Sequence, residues 1–511
     1  MRSGFFLTLL FLTVSGGLFA FGGGKLAGTI TSAAGEPLAG ANVLVEGTSQ
    51  GAVANANGDF FILNIPPGTI TVRAMMIGYQ TAVVRDVAIT SDHTTRLDIK
   101  LEQTVLDYDR EVVVQARRPL IQKDATSTQK TLSRDELIDL PVEEFKDILV
   151  TQVGFTEDAS GGIHVRGGRT KEILYLVDGV EVRDPLVGDF QSSLNQNAIQ
   201  ELNVLSGTFN AEYGQAMSSV INIVTRDGSD SPGGRIEAVT DQLNAFPYHS
   251  PGAFSTVQDS AYVWHSLKPQ LISYAADHRK TMVPQPLLPI LDLPISGSVN
   301  ITSGGKLPLT RTYYYLAGFY HSTDSPLPSG ADISQDLQMK LTRNLGPSLK
   351  LSAFWHQADR ISQSYSHPWK YHPDHQAHTF RSSNRTALTL THTLTPAFYY
   401  TASYSVQKIH SYTGVQTKSP EDYVRPNTDA SYYFYGATEG EFEGDQGIYT
   451  NNYTRTSAGR IDATWQADTR HLFKAGAGYS NHRLDIYTEE EPWSGGANFK
   501  DDSTFAPREV F

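Results

Sequence analysis

Ser348-Leu349-Lys350-Leu351-Ser352-Ala353-Phe354-Trp355-His356-Gln357 sets Leu349, Leu351, Ala353 and Trp355 on one face, against Ser348, Lys350, Ser352 and His356 on the other. Period two over about ten residues is a strand with one apolar and one polar side, long enough to cross a bilayer at a tilt. The alternation returns at Tyr400, Ala402, Tyr404 and Val406, at Ile461, Ala463 and Trp465, and at Phe473, Ala475, Ala477 and Tyr479. Apolar faces with aromatic ends suit lipid and its interfacial girdle. A chain that crosses a membrane on strands must leave no backbone group unpaired in hydrocarbon, which requires a barrel.

Nine such segments are legible: 233–243, 296–304, 312–321, 334–343, 347–359, 385–395, 397–408, 455–466 and 471–483. The connections between them run 52, 7, 12, 3, 25, 1, 46 and 4 residues, mostly alternating long and short, like the loops and turns on the two sides of an outer-membrane barrel. Nine is odd, and the ninth strand points outward, so such a sheet would carry two bare edges in lipid. The reading predicts that residues 232–511 are the first part of an antiparallel barrel whose remaining strands follow Phe511.

Upstream of residue 232 the composition changes. Only 4 of the 25 Tyr, 2 of the 15 His and none of the 5 Trp lie there, so two environments are encoded. The formal charge of −13 shows no basic excess for a nucleic-acid partner. With no cysteine, disulfides, thiol nucleophiles and Cys-ligated metal sites are excluded. Met1-Arg2, the apolar run Phe5–Val14 and small residues up to Ala20 read as a secretory signal peptide over 1–20.

Residues 25–103 read as a β-sandwich. Strands are expected at Leu26–Thr31, Ala41–Glu46, Asp59–Leu63, Ile70–Ile77 and Thr95–Leu101, with Asn57-Gly58 as a two-residue hairpin turn. Residues 104–118 read as a linker and 119–231 as an α+β domain. Ser133 and Glu136 form a capping box there, and Asp178-Gly179 is a second hairpin turn. Arg166-Gly167-Gly168-Arg169 lacks the Gly-Lys-Ser/Thr ending of a phosphate loop and reads as a turn that needs positive φ.

Two resemblances follow from these residues. Gly28-Thr29-Ile30, Gly35–Val43, Asn57–Phe60, Pro67-Gly68 and Ile77-Gly78-Tyr79 resemble the carboxypeptidase-regulatory-like domain, a non-catalytic module. Gly162–Arg169, Leu174–Val180, Ile199–Leu205 and Phe209–Gly214 followed by Val220–Thr225 resemble the plug of TonB-dependent outer-membrane receptors. That resemblance implies a barrel of roughly 22 strands and a plug motif comprising Arg166, Gly167, Gly168, Asp178, Gly179, Glu212, Tyr213 and Gly214. It also implies the energy-coupling protein TonB as partner, outer-membrane lipid around the barrel and an extracellular ligand. Glu111-Val112-Val113-Val114-Gln115 stands where the family carries its TonB box, and a Val-rich strand is suited to joining a partner's sheet edge.

No catalytic residue or cofactor is expected. Ser127-x-x-Lys130 and Ser303-x-x-Lys306 lack the Ser-Asp-Asn and Lys-Thr-Gly companions of a penicillin-type enzyme, and no His-x-x-Glu zinc pair occurs. His367, His372, Asp374, His375 and His378 crowd one loop as a weak metal candidate, with spacing that fits no standard site. The leading expectation is an energy-coupled importer of the outer membrane with its sandwich in the periplasm. The alternatives are a non-transporting adhesin or anchor on the same scaffold, and a SusC-like glycan importer.

Overall fold

The computed structural model describes residues 23–103, 112–115, 128–240 and 297–492, less 49, 141, 143–144, 159–161, 189, 191–193, 208–212, 215, 309, 325–330, 365–374, 426–443, 470 and 491. The signal peptide, Glu111, Glu212, His367, His372 and Asp374 fall outside these residues. The fold is mainly β, as the periodicity requires.

The N-terminal part is a sandwich. Strands β1 (Gly24–Ser32), β2 (Asn42–Val45), β3 (Gly51–Val53), β4 (Asp59–Ile65), β5 (Gly68–Met75), β6 (Ala82–Ile89), β7 (Thr94–Arg96), β8 (Ile99–Leu101) and β9 (Val112–Gln115) form two sheets. One sheet runs β4-β1-β7, with β8 also on β1, and the other runs β3-β2-β5-β6-β9. Leu26, Ile30, Val43, Val72, Val84 and Ile99 fill the space between them.

Two local expectations are corrected here. Thr95–Leu101 is not one strand: the chain breaks at Leu97-Asp98, where the Asp98 carboxylate accepts from the Thr29 amide (2.9 Å) and hydroxyl (2.8 Å). Asn57-Gly58 is a turn, but not between paired strands. Asn55 Oδ1 accepts from the amides of Asn57 and Asp59, and the two flanking strands then pair in different sheets, β3 with β2 and β4 with β1. β6 had no counterpart among the expected strands.

The next part is a five-stranded sheet in the order β10-β15-β16-β13-β14, with a two-stranded ribbon beside it. Its strands are β10 (Thr128–Ser133), β11 (Phe155–Glu157), β12 (Ile163–Val165), β13 (Ile173–Val177), β14 (Val180–Glu181), β15 (Ile199–Ser206) and β16 (Ser219–Thr225), with helices α1 (Arg134–Ile138) and α2 (Phe145–Val150). Ser133 and Glu136 start α1 as expected, the Glu136 carboxylate accepting from the Ser133 amide and hydroxyl, both at 2.7 Å. β13 is buried at every residue, because it runs parallel to β16 in the middle of the sheet.

The third part is one antiparallel meander: β17 (Gly233–Thr240), β18 (Gly297–Lys306), β19 (Thr312–Asp324), β20 (Ala331–Asn344), β21 (Leu349–Gln363), β22 (His378–Thr395), β23 (Phe398–Gly414), β24 (Ile448–Gln466) and β25 (Leu472–Glu490). All nine strands overlap the expected segments. Leu351, Leu388, Tyr404, Ile461, Trp465 and Phe473 are exposed on the outward face. Phe354 and Ala387, on the other face, join the core of the second part, so the meander wraps a plug. Among the described residues β17 and β25 are the sheet's two unpaired edges.

Candidate functional site

The turn after β13 is where plug and wall meet. Asp178 and Gly179 both have positive φ, 49° and 80°, as a two-residue hairpin of this type requires. Glycine supplies the second position at no steric cost. The Asp178 carboxylate accepts from the Thr225 amide (2.8 Å) and hydroxyl (2.5 Å), which ties the turn to the end of β16.

Four wall strands then reach this turn. Lys340 on β20 brings Nζ to 3.2 Å from Asp178 and 3.1 Å from Asp227, and donates to the Thr225 carbonyl at 3.1 Å. Arg385 on β22 donates to the Val177 carbonyl (3.0 Å), Gln407 on β23 to that of Val182 (3.4 Å), and Arg460 on β24 to that of Gly179 (3.2 Å). Lys350 on β21 completes the group at 2.7 Å from Asp227. Burial alone would raise the Asp227 carboxyl, but Lys340 and Lys350 beside it hold it well below the usual carboxylate range. Farther along, Arg226 stacks on Tyr315 of β19 at 4.6 Å and donates to its phenol oxygen at 2.9 Å.

Such bonds are worth about 0.5–1.5 kcal/mol each net, more where charged. Beyond the backbone that joins it to β17, the plug is therefore fixed by several separately breakable contacts. The wall residues in this clasp went unread in the sequence. Their only signal was a polar position on the inward side of an alternating strand, which says nothing of the partner.

The remaining motif residues sit on the plug itself. Arg166 and Gly167 form a turn with φ 50° and 78°, and a Cβ on Gly168 would stand 2.5 Å from that of Ser218. Tyr213 packs with Leu174, Leu176, Leu205 and Val220, and Gly214 follows in a turn. Of the histidine loop, His375 Nδ1 lies 2.9 Å from Asp445, which Lys418 also engages at 2.7 Å, and His378 is buried beside Tyr412. Among the described residues no group of three or more His, Asp or Glu is placed to hold a metal ion.

A second contact lies between sandwich and plug. Glu201 of β15 is buried, and its Oε1 accepts from the Ser91 amide (3.1 Å), the Ser91 hydroxyl (2.5 Å) and Asn203 Nδ2 (2.6 Å). Burial raises the Glu201 pKa against the lowering effect of these donors. Asp92 meets Lys474 of β25 at 3.0 Å, and Lys25 donates to Gln466 at 2.7 Å. Residues 112–115 form β9, paired in parallel with β6: Ala82 with Val112, Val83 with Val113, Val84 with Val114, Arg85 with Gln115.

Residues 25–102 match the carboxypeptidase regulatory-like domain and residues 121–220 the TonB-dependent receptor plug domain. The chain is similar to the TonB-dependent transporter Oar of Myxococcus xanthus, 26% identical over 214 residues, which are 39% of this chain and 20% of Oar. It is also similar to the TonB-dependent receptor SusC of Bacteroides thetaiotaomicron, 27% identical over 252 residues, 45% of this chain and 24% of SusC. The matches thus span a fifth to a quarter of these relatives. The solved ferric preacinetobactin receptor BauA of Acinetobacter baumannii superposes with a TM-score of 0.47 at 12% identity, over 71% of this chain and 48% of its own.

Proposed function

We propose that this chain, which carries a TonB-dependent receptor plug domain behind a carboxypeptidase regulatory-like domain, works as an outer-membrane receptor that takes in an extracellular solute when its plug is displaced. The observation that carries the reading is the clasp on Val177–Val182. A stopper held inside a lipid-facing wall by side chains of four strands can be moved without breaking the wall, because the wall's own pairing does not include it. The alternating outward residues suit lipid on the other side of the same strands.

In this reading Glu111–Gln115 is the coupling segment. The sandwich and segment lie in the periplasm, and TonB captures the segment by strand addition. Pulling then strains the clasp, and no chemistry is done on the solute. The test is capture of TonB's purified periplasmic domain by the full chain in outer-membrane vesicles. Val113→Pro removes a backbone donor and disfavours the ladder, and capture should fall at least tenfold while the protein stays in the membrane fraction. Unchanged capture would move the coupling segment elsewhere.

A further inference from the structure

β9 is placed in the sandwich sheet by its backbone, not by its position in the chain. Ten residues separate it from β8, and it returns to lie along β6 in parallel, residue for residue from 82/112 to 85/115. From this pairing we infer that the N-terminal sandwich is a clasp that withholds the β6-facing edge of residues 112–115 from the partner, which captures the segment by that edge and must strip it from β6 first. The inference rests on the reading of 111–115 as the coupling segment.

Three observations support competition. Among the described residues β9 ends its sheet, so β6 engages one of its edges, and a partner strand that takes that same edge displaces β6. The sandwich cannot drift aside to share the segment, because it is pinned by Ser91 to Glu201, by Asp92 to Lys474 and by Lys25 to Gln466. A ten-residue tether also keeps the segment at an effective concentration near the millimolar range, so even a four-residue parallel ladder stays populated. That ladder is short enough to open. Its strand, β6, runs directly into Ser91 at the plug, so a shift of β15 reaches the element that holds the segment.

The chain has no cysteine, which makes the test clean. Paired strands lie about 4.8 Å apart, a separation that a disulfide spans. Arg85 is exposed and in register with Gln115. Arg85→Cys/Gln115→Cys should therefore cross-link in outer-membrane vesicles on oxidation, read on a non-reducing gel and by mass spectrometry. Arg85→Cys/Val112→Cys, three residues out of register, should not. Oxidised Arg85→Cys/Gln115→Cys should capture TonB's periplasmic domain at least tenfold more weakly than the same protein after reduction. No cross-link in the register pair, or equal capture in both states, overturns the clasp. Deletion of 111–115 separates the two readings. If the deleted chain still captures TonB, the coupling segment is misassigned, while the cross-link continues to report on the pairing by itself.

Discussion

β21 and β25 are built on the same alternation yet have different surroundings. In β21 the outward set Leu349, Leu351, Ala353 and Trp355 is partly or fully exposed, while Phe354, His356 and Ala358 on the other side are buried, Phe354 in the core of the plug. In β25, which among the described residues has a neighbouring strand on one side only, no residue reaches full burial on either face. The outward face of a wall strand meets one kind of surroundings along its length and is therefore repetitive. The inward face is set by what the plug offers at that height, so its residues matter only where the plug arrives. Polar wall residues against the plug should be energetically heavy, and those in exposed pairs along β25, such as Arg483, light.

The largest expected effect tests that difference directly. Lys340→Ala leaves Asp178 facing the wall without its ammonium and strips Asp227 of one of two. Removing the charged partner from these partly buried pairs costs about 2–3 kcal/mol, and Lys350 should hold the loss near the lower end. Arg483→Ala on β25 removes an exposed pair with Asp485 on the same strand, for which about 0.5 kcal/mol or less is expected. Denaturant unfolding followed by hydrogen exchange at residues 173–180 checks both. Equal costs would mean that the plug does not make the difference between the strands.

Next comes Arg385→Ala, which leaves the Val177 carbonyl without its wall donor in a buried place. The cost is about 1–3 kcal/mol, seen as faster exchange at the β13 end with the wall unchanged. Gly179→Ala acts from the plug side. Forcing a Cβ onto φ 80° costs about 1 kcal/mol, and the same amides should report it.

The comparison also explains what was readable beforehand. All nine wall strands were legible because one rule, an apolar residue at every second position, governs the outward face of each. Asp178-Gly179 was legible because the turn's chemistry is local. β6 was not, since Ala82, Val83 and Val84 are buried in succession, Arg85 and Asp86 are exposed, and Asp86 takes φ 61°. That bend destroys period two. The clasp residues Lys340, Arg385 and Arg460 and the Ser91–Glu201 contact were illegible for another reason: each joins residues a hundred or more positions apart, and no local pattern encodes the partner.

The smallest effect concerns a plug position that the wall does not cover. His164 on β12 is partly exposed, with Nε2 2.8 Å from Asp158 Oδ2 and Nδ1 2.9 Å from the Gly168 carbonyl. Both nitrogens face acceptors, so the doubly protonated ring satisfies both, and the pKa is raised, chiefly by the hydrogen bond to Asp158 and then by that to Gly168. The unfolded chain titrates near 6.5. A group whose folded pKa lies above that value stabilises the fold fully below about pH 6.5 and loses the contribution as pH rises through the folded value. Solvent screening keeps the effect small. Thermal midpoints of the wild type and His164→Gln, followed from pH 5.5 to 8.5, should differ most at the acid end and converge at the alkaline end. Parallel curves would show that the ring does not gain its second proton from this site, and that the plug's uncovered edge is as indifferent to charge as β25.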